Sequence, residues 1–554
     1  MNGQMALLNG VKGSLTDITE ASSGSVIPVT CKGRAGELTI TANTGALFNI
    51  PEGKQAARTS LLDCCSNGAV SFEIKQEDLI GGTIVSGTTI QIWYCKHATQ
   101  SPDRPIRRLL KSAKLVCVTE GAAQHAVRLL REAAAPRKKD TQRRLLIIVN
   151  PCSGRGKARH TFTKHVRPIL EAAGFHLDVR ETQGPGHATD IVKEAELQIF
   201  DAVVAVGGDG TIFEILQGYF HGEDWAQRVR APFCLVPSGS GNALAANCGL
   251  WTPETAAIAI CKGRTRALDI FSVVQPPSRR YFAFLSIYYG MMANLDHGTD
   301  HLRWMGSMRF TLGAIHEVLR HRRYAATVAY MPAAKSTQDS AKMESPTQEH
   351  VKHPSPVPST QHSSSNAEAH STQLPPEDNV LHSSSNAEAR RTQQATEGNG
   401  HSSGATPGSC SSAGPSLQLL QALGPEDQLQ LSHIAEMHPG WQLLSPRDTS
   451  FFAAVNLPML DFHSSTGPQA DFNSGCLDII YVPNITNRKQ GLEWLDQLGK
   501  GRHMDGNLTH LKKACAMIIE PYSEGTSLVV DGEAIPYKRV YLEVHPSLCS
   551  VIVA

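Results

Sequence analysis

The stretch from Leu145 to Glu214 constrains this chain most. It opens on Leu145-Leu146-Ile147-Ile148-Val149, which breaks into Asn150-Pro151-Cys152-Ser153-Gly154-Arg155-Gly156-Lys157. It closes on Ala202-Val203-Val204-Ala205-Val206, which breaks into Gly207-Gly208-Asp209-Gly210-Thr211. Short apolar runs bounded by glycine turns read as strands buried on both faces, as in a parallel sheet. Each turn leads into a helical pattern. Strand, glycine turn, helix is how a chain offers backbone N–H groups to phosphate.

A third turn of this kind, Ser238-Gly239-Ser240-Gly241-Asn242, follows the apolar run Phe233–Pro237. Three such turns after consecutive strands fall on one carboxyl edge, where open α/β sheets bind ligands. The first turn is not a Walker loop, because a glycine is missing at the required offset from Lys157 and no Ser or Thr follows it. A dinucleotide-binding dehydrogenase would show Gly-x-Gly-x-x-Gly with an acid some twenty positions on, and that arrangement is absent. Asp209 stands among glycines that let the backbone approach a nucleotide closely. Read alone, it is either a turn residue capping the helix from Thr211 or a base that takes or orients an acceptor hydroxyl proton.

Around these turns the pattern predicts helices over Thr161–Ala173, Ala188–Leu197 and Ile212–Tyr219, and a strand over Leu177–Thr182. That alternation describes a Rossmann-like α/β domain with a parallel sheet over 139–266. From Ala267 the period becomes two, with strands expected at Ala267–Val274, Tyr281–Tyr288, Tyr324–Tyr330, Phe451–Val455, Leu477–Val482, Ala514–Ile519, Thr526–Val530 and Arg539–Val544. Helices are expected at Phe310–Arg320 and Lys489–Leu498. Residues 267–554 thus read as an antiparallel β-sandwich. Residues 1–138 form a β-rich region closed by a helix over Ala122–Ala134. It is either a small lipid- or partner-binding module or a structural extension of the core. The basic run Arg137-Lys138-Lys139 reads as a solvated linker.

Residues 334–446 interrupt the second domain. The octet His362–Ala369 recurs at His382–Ala389, and this repeat holds almost nothing apolar, so the segment reads as a disordered insertion. The 554 residues carry a net charge of +1, which gives no support to nucleic-acid binding. The 13 cysteines include no Cys-x-x-Cys pair and suggest a reducing compartment. No signal peptide is apparent in 1–20, and the apolar run Tyr281–Leu295 is too short to span a bilayer. A cytoplasmic protein, attached to membranes at most peripherally, is expected.

Taken together, Asn150-Pro151 with Gly154 and Gly156, Gly207–Gly210, and Gly239–Ala245 resemble the diacylglycerol kinase catalytic superfamily. The run from Gly239 to Ala245 looks like the sphingosine (long-chain base) kinases within it. Gly290–Asp296, Arg303, Met305-Gly306, Met308–Gly313, Gly501–Met504 and Val530–Glu533 agree. The likeness covers 143–554 apart from the insertion. The N-terminal region looks, more weakly, like that of plant-type members.

The resemblance implies an ATP- and Mg2+-dependent lipid kinase that phosphorylates a sphingoid base at a membrane surface. Asp209 would be the catalytic base. Asn150, Pro151, Cys152, Thr182, Gln183, Gly184, Pro185, Gly186, Gly207, Gly208 and Glu214 would line the nucleotide, with Gly239, Ser240 and Gly241 beneath its phosphates. Arg303 and Arg309 would reach the phosphates, and Asp531, Gly532 and Glu533 would close the cleft. Gly210, Ser286 and Asp296 would hold the lipid head, Asp296 as counter-charge to its amine. Metal ligands and oligomeric state are not implied. Asn294 stands where many relatives carry a second acid, so the head-group pocket is expected to be less negative. The rival readings are a diacylglycerol or ceramide kinase, an NAD kinase, and a lipid-sensing pseudokinase.

Overall fold

The computed structural model describes residues 25–31, 34–41, 45–49, 72–97, 108–135, 143–239, 241–276, 279–298, 308–320, 322–333, 424–425, 440–445, 448–462, 465–522 and 526–554. Contacts divide the chain into two units, Ala334–Ser412 and the rest, and every described residue belongs to the latter.

The N-terminal strands are β1 (Ser25–Cys31), β2 (Arg34–Thr41), β3 (Gly45–Asn49), β4 (Phe72–Lys75), β5 (Leu79–Ser86), β6 (Thr89–His97) and β7 (Arg108–Cys117). They form one sheet in the order β4-β3-β2-β1-β7-β6-β5. Helix α1 (Glu120–Ala134) lays Ala123, Ala126, Val127 and Leu130 on it, and Thr119 caps it by accepting from the Ala122 N–H at 3.1 Å.

The α/β part follows with β8 (Arg144–Val149), β9 (His176–Glu181), β10 (Ala202–Gly207) and β11 (Phe233–Pro237), parallel in the order β9-β8-β10-β11. Strands β8, β10 and β11 are apolar and buried along nearly their whole length, as a sheet covered on both faces requires. Ser153–Gly156 (α2) and Ala158–Thr161 (α3) precede the helix predicted at Thr161–Ala173, which is a π turn at Phe162–Val166 followed by Arg167–Ala172 (α4). They are followed by α5 (His187–Glu194), α6 (Asp209–Tyr219), α7 (Trp225–Arg228), α8 (Ala243–Asn247) and α9 (Pro253–Lys262).

The remaining strands are β12 (Thr265–Gln275), β13 (Arg279–Ala283), β14 (Ser286–Tyr289), β15 (Tyr324–Pro332), β16 (Gln442–Leu443), β17 (Asp448–Thr449), β18 (Phe451–Val455), β19 (Leu477–Val482), β20 (His510–Pro521), β21 (Leu528–Val530), β22 (Glu533–Ile535) and β23 (Val540–Ile552). Helices α10 (Met291–Gly298) and α11 (Met308–Arg320) lie between β14 and β15.

Three expectations need correction. The antiparallel strands do not form a hydrogen-bonded system of their own. The last strand, β23, pairs antiparallel with β12 and β20 and parallel with β11 at Phe233↔Val551, so all join one 16-stranded mixed sheet. The single strand expected at Tyr281–Tyr288 is two, broken at Phe284-Leu285, and the uncharged run beyond it turns at Gly290 into α10. Finally, Gln442 and Leu443 fall inside the segment assigned to the insertion, yet they pair with Tyr330 and Ala329 of β15. Most of the insertion lies outside the described residues.

Two devices lock the parts together. Helix α6 is buried along nearly its whole length: Ile212, Ile215, Leu216 and Tyr219 sit in the α/β core and Phe213 in the core of the antiparallel part. The buried Gln217 amide donates to the Phe282 carbonyl at 2.7 Å and accepts from the Phe282 N–H at 3.0 Å, tying α6 to β13. The ammonium of Lys262, at the end of α9, donates to the carbonyls of Gln76, Leu79 and Ala134 at 2.5, 2.7 and 3.3 Å. Those carbonyls belong to the N-terminal module. Lys262→Met should strand them and weaken the joint by about 1–3 kcal/mol. The expected readout is earlier proteolytic release of the N-terminal module under mild denaturant, with the catalytic part still resistant.

Candidate active site

Four turns leave the carboxyl ends of β8, β9, β10 and β11, and the first, third and fourth interlock through their backbones. A side chain at Gly154, whose φ is +62°, would run into the Ser238 carbonyl. One at Gly208 would stand 2.7 Å from the Gly241 carbonyl. The Ser238 and Gly239 N–H groups both donate to the Gly207 carbonyl, at 3.0 and 2.9 Å, and Asp209 N–H donates to the Gly241 carbonyl at 3.2 Å. In the first turn, Asn150 Oδ1 accepts from the Cys152 N–H at 3.1 Å. Its Nδ2 lies 3.5 Å from Thr211 Oγ1, so this turn also touches the start of α6.

Asp209 is the first residue of α6 and is 7% exposed. Its carboxylate does not cap α6. Oδ2 accepts from the Ala243 N–H at 2.7 Å and Oδ1 from the Leu244 N–H at 3.0 Å, the first amides of α8. Burial pushes its pKa up to about 6, against the pull of those two amides.

Two residues expected to line the nucleotide are instead committed to main chain. Glu214 Oε2 accepts from the Ala188 N–H at 3.0 Å, and its pKa is raised by burial against the Gly186 and Ala188 amides. It thereby shapes the Thr182–Gly186 segment at the start of α5. Asp531, with φ +51°, takes the N–H groups of Phe284, Leu285 and Ser286 at 2.8, 2.9 and 2.9 Å. It is what breaks the strand between β13 and β14. Burial raises it to about 7, with the nearby Asp209 adding to the rise.

The other expected residues are placed as follows. Thr182 is buried, with its N–H on the Val149 carbonyl, and the Gln183 N–H donates to His187 Nδ1. Gly184, Pro185 and Gly186 form the turn into α5. Pro151 is half-buried and Cys152 exposed at the first turn. Gly210 faces protein: a Cβ there would lie 2.9 Å from Glu533 Oε1, so the Asp531-Gly532-Glu533 turn abuts the catalytic turn. Ser286 is fully buried and its hydroxyl finds no partner. Ser240 and Arg303 lie outside the described residues. Asp296 and Arg309 belong to the backbones of α10 and α11.

Sequence reasoning missed Ser238 and Asn242. Asn242 is 7% exposed and its Nδ2 donates to the Gly239 carbonyl at 2.8 Å, while its Oδ1 and the Ser238 hydroxyl are buried without a partner. Among the described residues no cluster of three or more His, Cys, Asp or Glu side chains could hold a metal ion. Magnesium needs no such cage. It is usually held through few protein oxygens plus substrate phosphates and water, and these two unpartnered oxygens suit that chemistry.

With this geometry in hand, comparison with known proteins is decisive for one part of the chain. Residues 144–273 match the diacylglycerol kinase catalytic domain. That segment is similar to the diacylglycerol kinase catalytic domain. The chain is also similar to sphingosine kinases. It is 34% identical to Sphingosine kinase 1 of Arabidopsis thaliana over 196 residues, 34% of this chain and 40% of that protein. It is 26% identical to Sphingosine kinase 2 of Homo sapiens over 463 residues, 74% of this chain and 71% of that one. It is 29% identical to Sphingosine kinase 1 of Rattus norvegicus, over 73% of this chain and 89% of that one. The match thus spans two fifths of the length of the Arabidopsis relative. The diacylglycerol kinase catalytic domain ends at the strand β12, so α10 and α11 lie beyond it.

Those two helices correct the reading of Asn294. Its Nδ2 donates to Glu317 Oε2 at 3.1 Å and lies 3.0 Å from the Tyr324 hydroxyl, which itself donates to Glu317 at 2.6 Å. Glu317 is 8% exposed. Asn294 is therefore a clasp between α10, α11 and β15 rather than a ligand for a lipid head, and an acid there would face a buried acid. Asn294→Asp should cost about 1–3 kcal/mol in denaturant unfolding.

The amides that orient Asp209 can also be tested. Ala243 is the first residue of α8, where proline is tolerated because its missing N–H has no helical partner. Ala243→Pro removes one hydrogen bond to the charged carboxylate, so the Asp209 pKa should rise further. With Asp209 as the base, the acid limb of kcat/KM against pH should then move to higher pH.

Proposed function

We propose that this protein transfers the γ-phosphate of ATP to the primary hydroxyl of a sphingoid long-chain base. The reading rests above all on Asp209: a buried carboxylate at the junction of three glycine turns, held by two amides and lifted toward neutrality. A carboxylate has about four lone-pair sites, and the α8 amides take two, so an acceptor hydroxyl can still donate to Asp209 and lose its proton there. The turns at 150–157, 182–186 and 238–242 supply backbone donors for phosphate. Arg303 and Arg309 add positive charge. Mg2+ would supply neutralisation of charge on the transferring group when bound, and the unpartnered oxygens of Ser238 and Asn242 are placed to meet a metal–phosphate pair.

The nucleotide is assigned to 139–266 and the lipid to 267–554. The Ser286 hydroxyl, buried and unpartnered beside the Asp531 turn, is a ready partner for a hydroxyl of the lipid head. Asp296 on α10 is its counter-charge, which a neutral diacylglycerol or ceramide does not need. Approach from a cytoplasmic membrane surface is favoured by α11: Leu312, Ile315 and Leu319 are 45%, 38% and 46% exposed, with Arg320, Arg322 and Arg323 close by. No described helix is long and apolar enough to cross a membrane.

The direct test is phosphate transfer measured over sphingosine, phytosphingosine, ceramide, diacylglycerol and NAD. Sphingoid bases should be phosphorylated fastest. Asp209→Asn should lower turnover at least ~10²-fold with ATP binding retained. A folded Asp209→Asn protein with near-native turnover, or a preference for diacylglycerol, would refute the assignment.

A further inference from the structure

The turn 238–242 carries two buried side-chain atoms that no protein group satisfies, although buried polar atoms are nearly always paired. They have opposite needs. The Ser238 hydroxyl can donate. Asn242 Oδ1 can only accept, and its identity is chemically fixed. The other end of that amide sits 2.8 Å from the Gly239 carbonyl, which only an N–H can satisfy, so oxygen is the atom left over. Asn242 immediately precedes the two amides that grip Asp209, and the turn lies against Gly208 and Gly154. Nucleotide phosphates offer acceptors only, so they can meet Ser238 but not Asn242 Oδ1. A metal–phosphate pair supplies both complements: oxygens for the hydroxyl, and a cation or its bound water for the amide oxygen.

We propose that Asn242 Oδ1 is the protein's ligand, direct or through water, for the divalent cation that accompanies the nucleotide, with Ser238 donating to the phosphate which that cation bridges. The inference rests on the kinase reading above, and it assigns a metal contact in a site where no carboxylate or histidine cluster exists. It also separates two jobs of one side chain. Nδ2 builds the turn, and Oδ1 serves the cation.

That separation defines the experiment. Binding of ATP to the full chain is measured by calorimetry with and without Mg2+, and Mn2+ binding to the protein–nucleotide complex by electron paramagnetic resonance. In Asn242→Ala the gain in ATP affinity conferred by Mg2+ should shrink ~10–100-fold, the loss usual when a metal's supporting contact is removed. Both Asn242→Ala and Asn242→Asp lose the donor to Gly239, so any change in metal-free ATP affinity should be common to the two. Asn242→Asp keeps the oxygen and loses the donor to Gly239, so it should retain the metal-dependent gain and the Mn2+ signal. Three outcomes overturn the proposal. If Asn242→Asp loses the metal-dependent gain as Asn242→Ala does, Asn242 only shapes the turn. If Asn242→Ala keeps the metal-dependent gain, the cation is held elsewhere. If it keeps that gain and raises only the KM for the lipid, the oxygen serves the substrate. A native chain that binds no ATP in either condition would instead remove the kinase reading itself.

Discussion

Irregular backbone at the centre of this molecule is held by buried carboxylates. Asp531 gathers three amides of the 284–286 turn and Asp209 two of α8. Asp269, fully buried in β12, takes the Gly475 and Ser547 N–H groups. Turns have no ladder to satisfy their N–H groups, and an ionised oxygen takes several at once. The arrangement has a cost. Burial raises all three acids, Asp209 to about 6 and Asp531 to about 7. A folded-state pKa above the unfolded value means that the native chain binds more protons between about pH 4 and 7. Stability from these groups is therefore greatest at the acidic end of that window and falls as pH rises through it.

From that constraint the placement of the two halves follows. The Asp531 turn presses Glu533 on Gly210, and α6 runs from Asp209 into both cores, anchored by Gln217 on β13. On the proposed reading, a hydroxyl brought in from the antiparallel side and a phosphate held by the α/β turns would meet at the first residue of one buried helix. Phosphoryl transfer depends on such positioning far more than on covalent chemistry.

Much of this was legible in the chain. Continuous apolar runs before glycine turns located β8, β10 and β11, and period-two patterns located most later strands, because burial imposes those patterns directly. What stayed hidden had non-local causes. The break at Phe284-Leu285 is made by Asp531, some 250 residues away, and nothing in the local apolar run announces it. Met291–Leu295 shows no helical period because it is apolar nearly all round. Glu214 and Asp531 carried the composition of ligand-facing acids, but their partners are amides fixed only in the folded chain. Asn242 and Ser238 were overlooked because polar residues beside glycines read as turn formers, and only burial without a partner distinguishes them.

Counting amides tells the two central acids apart better than motif or pKa does. Each carboxylate offers about four lone-pair sites. Asp531 has spent three on the 284–286 turn, and its left-handed backbone, followed by Gly532 at φ +85°, holds it there. Its one remaining site is on Oδ2, beside the Phe284 amide. Asp209 has spent two, one on each oxygen, so each oxygen keeps one site. It can accept a hydroxyl proton without releasing α8. Both acids sit near neutrality, so acidity alone does not assign the base; the proposed role goes to Asp209, which keeps a site on each oxygen and can titrate without releasing α8.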